Sequence, residues 1–211
     1  MDAYVTLIGE GTSLYVDRKS EFLGYAAHVT TEEEAIAFVS TIRKKHSDAR
    51  HNVYAYMLKE GNITRYSDDG EPQGTAGIPV LDIIRKIGFT DAVIVVTRYF
   101  GGILLGTGGL VRAYTAAARD AVRDAGVAVY EDFDILEFTT DYSFYQRVAG
   151  ILSKHSAIEE SAEFTDVVTV RASVRASSSS TLADALFSAS SGRVTALVTE
   201  SCKRPGELLD I

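Results

Sequence analysis

The sequence predicts an α+β chain in two domains, 1–131 and 132–211. Three observations predict it. Short β-type runs alternate with amphipathic helical runs along the chain. A separate β-α-β-β-α-β order begins after Asp132–Asp134. Charge also changes there: residues 1–130 hold 14 Lys+Arg against 16 Asp+Glu, and residues 131–211 hold 7 against 13.

In order, residues 2–8 and 13–17 predict an opening hairpin around Gly9-Glu10-Gly11. Lys19 to Val29 follows as a strand, apolar on both faces. Thr31 and Glu34 form a capping box for a helix whose buried stripe is Ala35, Phe38, Val39 and Ile42. Arg43, Lys44, Lys45 and His46 place positive charge at its C-terminal end, where the helix dipole favours it. His51 to Lys59 reads as a strand, Gly61-Asn62 as a two-residue turn, and Ile63 to Tyr66 as the returning strand. In the acidic turn Ser67-Asp68-Asp69-Gly70-Glu71, an Asp can bond its own backbone two residues on. Pro79 to Ile87 is a short helix ended by Gly88. Val93-Ile94-Val95-Val96 marks a central strand, Asp91 to Tyr99, covered on both sides. The next helix, Leu110 to Ala125, buries Leu110, Tyr114, Ala117, Ala121 and Ala125 and turns Arg112, Arg119 and Arg123 elsewhere.

Val127 to Tyr130 reads as the last strand of the first domain, with the boundary at Asp132 to Asp134. Ile135–Thr140, Ser143–His155, Ala157–Phe164, Val167–Arg175, Ser178–Ser190 and Arg193–Cys202 then give the order of a ferredoxin-like domain. The serine run 177–180 is placed to cap its second helix, and Pro205 to Ile211 are expected to fray.

Length and composition bound the function. The 211 residues are 46% hydrophobic and 24% charged, ordinary values for a globular chain of one or two domains. No run approaches a membrane helix, and the N-terminus lacks the basic and apolar regions of a secretory signal, so the expected setting is the cytoplasm and no membrane partner. The single cysteine, Cys202, excludes an internal disulfide or a multi-cysteine zinc site. The net charge of −8 is uneven: the acidic second half is not expected to bind polyanions, any nucleic-acid contact in the nearly neutral first half would depend on local clustering of charge, and no DNA specificity is expected. A monomer is expected.

The informative stretch is Ser67 to Tyr114. Its glycine-rich segment, Gly101, Gly102, Gly106, Thr107, Gly108 and Gly109, precedes a helix. Free N–H groups and the positive end of the dipole at such a helix start can receive an anion. Arg98 and Arg112 flank the segment. It is not a P-loop, because Thr107 and Gly108 stand where Lys and Ser or Thr belong, and the dinucleotide pattern also fails. The simpler reading is that these glycines only let the helix pack closely on a strand.

Ser67-Asp68-Asp69-Gly70-Glu71-Pro72-Gln73-Gly74-Thr75-Ala76-Gly77, followed by Val96-Thr97-Arg98-Tyr99-Phe100-Gly101-Gly102-Ile103-Leu104-Leu105-Gly106-Thr107-Gly108-Gly109-Leu110, resembles the signature of the IMPACT family, in its bacterial YigZ-like form. Lys19 to Gly24 and Ala49 to Tyr56 extend the resemblance upstream. It implies a first domain like the second domain of small-subunit ribosomal protein five. It implies a second, ferredoxin-like domain resembling the C-terminal domains of elongation factor G. It also implies translation as the setting, since eukaryotic relatives regulate it by competing for an activator of the initiation-factor kinase.

Two classes of function remain open. One is a non-enzymatic module binding RNA, the ribosome or a translation-linked protein through His51, Arg65, Arg98 and Arg112, with tyrosines interleaved to stack on bases. It needs no catalytic residue, metal or cofactor. The other is a hydrolase or phosphoryl-handling enzyme using Asp68, Asp69 and Glu71 beside the glycine-rich helix start. For each set a plainer reading exists, with a solvated acidic turn, a structural histidine and tyrosines in the core.

Overall fold

The structure, a computed structural model, describes residues 4–210. Its elements are β1 (Tyr4–Leu7), β2 (Gly11–Asp17), β3 (Ser20–His28), α1 (Glu32–Lys45), β4 (His51–Leu58), β5 (Ile63–Ser67), α2 (Gly77–Ile87), β6 (Ala92–Tyr99), α3 (Gly106–Ala125), β7 (Val127–Thr140), α4 (Tyr142–Lys154), β8 (Ile158–Phe164), β9 (Val168–Arg175), α5 (Ser179–Ala189) and β10 (Leu197–Leu209). Two compact units result, Tyr4–Val129 joined by the residues from Pro205, and Tyr130–Arg204. The fold is α+β, as expected.

The first unit is built on an antiparallel sheet of order β2-β3-β6-β4-β5. Its middle strand, β6, is buried on both faces because its side chains alternate between two cores. Ala92, Ile94 and Val96 join the cluster made with α2 and α3, and Val93 and Val95 join the cluster made with α1. Helix α1 starts at the expected capping box: the Thr31 hydroxyl accepts the Glu34 N–H, and the Glu34 carboxylate reaches back to the Thr31 N–H. Helix α3 lies close on β2 and β3, since a Cβ at Gly24 would meet the Ala117 carbonyl and one at Gly11 the Ala121 carbonyl. The glycines that permit tight packing are therefore these two strand glycines rather than those preceding the helix.

The second unit carries strand order β10-β7-β9-β8, with α4 and α5 as the crossings, which is the ferredoxin-like arrangement. Leu136, Phe138, Val168, Val170 and Ala172 meet Val148, Leu152, Leu182 and Leu186 of the helices. Four expectations are corrected. There is no opening hairpin, because β1 pairs with β7 and β2 with β3; residues 2–3 lie outside the described ones. Val127 to Thr140 is one unbroken strand, and Glu131, Asp132 and Asp134 stay in it by bonding Arg175, Lys203 and Ser201. The tail does not fray from Pro205, since β10 runs to Leu209; Ile211 lies outside the described residues. Helix α5 starts without a side-chain cap bond from Ser178.

Candidate functional site

The acidic turn is held entirely from within. The Ser67 hydroxyl accepts the Asp69 N–H at 3.1 Å. The Asp68 carboxylate accepts the N–H groups of Gly74, Ala76 and Gly77, at 2.9, 3.1 and 2.8 Å, so it caps the start of α2. The Asp69 carboxylate accepts the Asn52 N–H at 2.7 Å and the Arg43 guanidinium at 2.8 Å. The Asp69 carbonyl accepts His51 Nδ1–H at 2.8 Å, which fixes the ring tautomer and leaves Nε2 3.8 Å from Glu71. Gly70 takes φ 86°, which lets the chain reverse over the His51 ring.

Glu71 points inward. It is 8% exposed, and its Oε1 accepts Arg98 Nη1 at 2.6 Å and the Tyr114 hydroxyl at 2.9 Å. Arg98 is 6% exposed and its guanidinium lies 5.5 Å from the ring centres of both Phe22 and Phe100. Burial and the adjacent Glu71 carboxylate push the Tyr114 hydroxyl far above the ordinary phenol range, so it stays a neutral donor. The three acids thus diverge, each toward internal partners. This corrects the expectation for Arg98, which is a core cation and not a surface contact.

The glycine-rich segment is also rearranged. Helix α3 begins at Gly106, four residues earlier than expected, so Thr107, Gly108 and Gly109 form its first turn. Gly108 and Gly109 have negative φ, whereas Gly102 and Gly106 take φ 83° and 71°. Arg112 accordingly lies beyond the first turn, exposed, with Nη1 reaching back over Gly108. Among the described residues no side chain caps α3: Leu105 precedes it in helical geometry and offers no acceptor. Gly106, Thr107 and Gly108 are exposed, while Gly109 is buried against Leu105.

The β2–β3 hairpin completes this surface. Asp17 pairs with Ser20, which leaves Arg18 and Lys19 as a two-residue turn with φ 46° and 66°. That geometry favours Asn-Gly, and long side chains adopt it at a cost. The turn is tied to the glycine segment at three points. Arg18 Nη1 donates to the Leu104 carbonyl at 3.2 Å, Gly101 N–H donates to the Ser20 hydroxyl at 3.1 Å, and a Cβ at Gly101 would collide with the Lys19 backbone. Phe100, Ile103 and Leu104 stand exposed between the cations, Leu104 at 80%. The same end of the sheet carries exposed Lys44, Lys45 and Arg50. Arg18 escapes sequence reasoning because Asp17-Arg18-Lys19-Ser20 has no Gly or Asn at its two central positions, where a two-residue hairpin turn favours them. Arg65 is separate, on edge strand β5 facing Glu32 at 3.5 Å, and His51 lies beneath the acidic turn.

The Impact N-terminal domain matches residues 18–122, and a domain of unknown function, DUF1949, matches residues 138–193. YvyE of Bacillus subtilis, an IMPACT family member, is 36% identical over 169 residues, covering 80% of this chain and 78% of its own. This chain belongs to the IMPACT family. YigZ of Escherichia coli is 39% identical over 132 residues, covering 61% of this chain and 64% of its own. A crystal structure of a hypothetical protein superposes with a TM-score of 0.59 at 30% identity, over 95% of this chain and 98% of that one. Yih1, described as a two-domain translational regulator, is 32% identical over 56% of this chain and 47% of its own, with a TM-score of 0.38. Among the described residues no helix is long and apolar enough to cross a membrane.

Proposed function

We propose that this IMPACT family chain is a cytosolic binding module in the control of translation, and that it receives a phosphate-bearing RNA strand, free or on the ribosome. The observation that carries this reading is the Arg18-Lys19 turn. Two long cations occupy left-handed backbone positions, locked against the glycine segment beside the uncapped start of α3 and the guanidinium of Arg112. Backbone strain of this kind is held in place by the surrounding structure and clusters at functional sites. Open amides, a helix dipole and convergent cations are the chemistry that meets phosphate. The hydrolase reading lacks its acids, since Asp68, Asp69 and Glu71 are each engaged by internal donors.

The test is RNA affinity across several salt concentrations for the wild type and for Arg18→Ala/Arg112→Ala. The double variant should bind more weakly, with a salt slope flatter by about 1.4, at roughly 0.7 per single-strand phosphate contact. Unchanged affinity and slope would falsify the RNA surface.

A further inference from the structure

A second feature lies on the α1 face of the same sheet. Between α1 and β4 is a surface cavity of about 160 Å³, lined by Ile36, Val39, Ser40, Arg43, Tyr54 and Tyr56. Tyr54 and Tyr56 stand two apart on β4, so both face α1. Their rings are stacked, with centroids 6.0 Å apart and planes 13° from parallel. The Arg43 guanidinium, half-exposed, lies 5.6 Å from the Tyr54 ring centre. Burial and the hydrogen bond to Glu32 push the Tyr56 hydroxyl up to about 12, so it remains a neutral donor that anchors the inner ring.

The cavity has a direction. At the end nearer the start of α1 lies Tyr56, whose hydroxyl donates to Glu32. The other end is marked by Arg43, paired with Asp69. Helix α1 points its C-terminus that way, and the exposed Lys44 and Arg50 lie at the same end of the sheet as the Arg18-Lys19 turn. A ligand entering from that end brings a planar, largely apolar group toward the rings and leaves an anionic group among cations. Ser40 supplies a hydroxyl on the α1 wall to orient it. Planar stacking groups with one or two polar contacts and a flanking cation are what an unpaired nucleobase requires.

We propose that this cavity is a nucleobase subsite, in which one unpaired base of the bound RNA packs against the part of the Tyr54 ring and the Arg43 guanidinium open to the cavity while its phosphates run toward Arg50. The inference rests on the RNA reading above and deepens it: the hairpin and the α3 start hold the backbone, and the cavity holds a base.

Three probes separate the two. The first is an oligoadenylate, the second an abasic ribose-phosphate oligomer of the same length, and the third is adenosine 5′-monophosphate. Wild-type protein should prefer the oligoadenylate to the abasic oligomer by ~10-fold or more, the scale of one base stacked on an aromatic ring. Tyr54→Leu, which keeps apolar volume but removes the ring, should abolish that preference without changing the salt slope, and Tyr54→Phe should retain it. The monophosphate should shift the amide resonances of Ile36, Ser40 and Tyr54 in the wild type and not in Tyr54→Leu. Equal binding of the two oligomers, or retention of the preference in Tyr54→Leu, overturns the subsite while leaving the backbone surface standing. Binding of neither oligomer, with no monophosphate shifts, overturns both.

Discussion

Replacing Arg18-Lys19 by Asn-Gly separates stability from binding at a single turn. Both native residues sit at positive φ between the paired Asp17 and Ser20. A left-handed conformation costs an L-residue with a Cβ about 1–2 kcal/mol, whereas Asn tolerates it and Gly adopts it freely. Two relieved positions should thus give about 2 kcal/mol. Against that stands the hydrogen bond from Arg18 to the Leu104 carbonyl, at 3.2 Å on the surface, whose loss costs about 0.5–1 kcal/mol. The net expectation is a gain of about 1–1.5 kcal/mol, or a Tm increase of roughly 3–6 °C. RNA affinity should move the other way, with the salt slope flatter by about 1.4 for two lost single-strand phosphate contacts. Calorimetry and salt-dependent RNA titrations on the same preparation decide it. A variant less stable than wild type with undiminished RNA binding would refute the reasoning, because the cations would then be serving the fold.

Three further outcomes follow from the geometry. Arg98→Ala leaves Glu71 buried without its 2.6 Å partner, so urea unfolding should show a loss of about 3–5 kcal/mol, part of it recovered by adding Glu71→Gln. Gly101→Ala should destabilise by more than 1 kcal/mol because its Cβ meets the Lys19 backbone, while Gly108→Ala, in an open helical position, should stabilise by about 0.5–1 kcal/mol in thermal melts. His46 accepts the Tyr25 hydroxyl at Nε2, 2.6 Å, and its Nδ1 faces the Tyr99 hydroxyl, which itself donates to Asp48. Burial lowers the His46 pKa, Lys45 lowers it further and Asp48 opposes. The neutral ring is therefore the native form, and its stabilisation is complete above the unfolded-state pKa near 6.5 and is lost as pH falls below it. Urea midpoints at pH 7.5 and 5.5 should differ more for wild type than for His46→Gln.

Local rules that carry their own partner in sequence were legible. Thr31 and Glu34 announced the start of α1, Gly88 its role at the end of α2, and the double-sided apolar run of β6 its central place. What was not legible depended on distant partners. Gly106 to Gly109 read as loop because glycine is a poor helix former, yet α3 continues through them with Gly109 packed on Leu105 and Leu110 in the core. Glu131, Asp132 and Asp134 did not read as strand because the residues that keep them in one lie 44 to 71 positions later, although the division between the two units does fall beside them, between Val129 and Tyr130. Arg98 read as a surface cation because Glu71 and Tyr114, its reasons for burial, come from an earlier turn and a later helix. The fold class could therefore be read from periodicity, whereas the sorting of charges into buried and exposed could not.

That sorting explains how an acidic turn can sit beside the proposed anion surface. Helices α2 and α3 start at the same end of the sheet, as the positions of Asp68 and Gly101 around β4, β5 and β6 require. One start is closed: Asp68 lies against three backbone sites leading into α2, with its charge placed where the dipole favours it. The other is open, with glycine at 106 and 108 and Leu105 committed to packing rather than capping. Asp69 and Glu71 are each matched by an arginine, so the turn contributes little uncompensated negative charge toward α3. A chain selected only for stability would gain about 1 kcal/mol from an oxygen-bearing cap at the second helix as at the first. Leaving that start bare, placing glycine at 106 and 108, and setting two strained cations beside it are three costs at one place, and the proposed anion site accounts for all three.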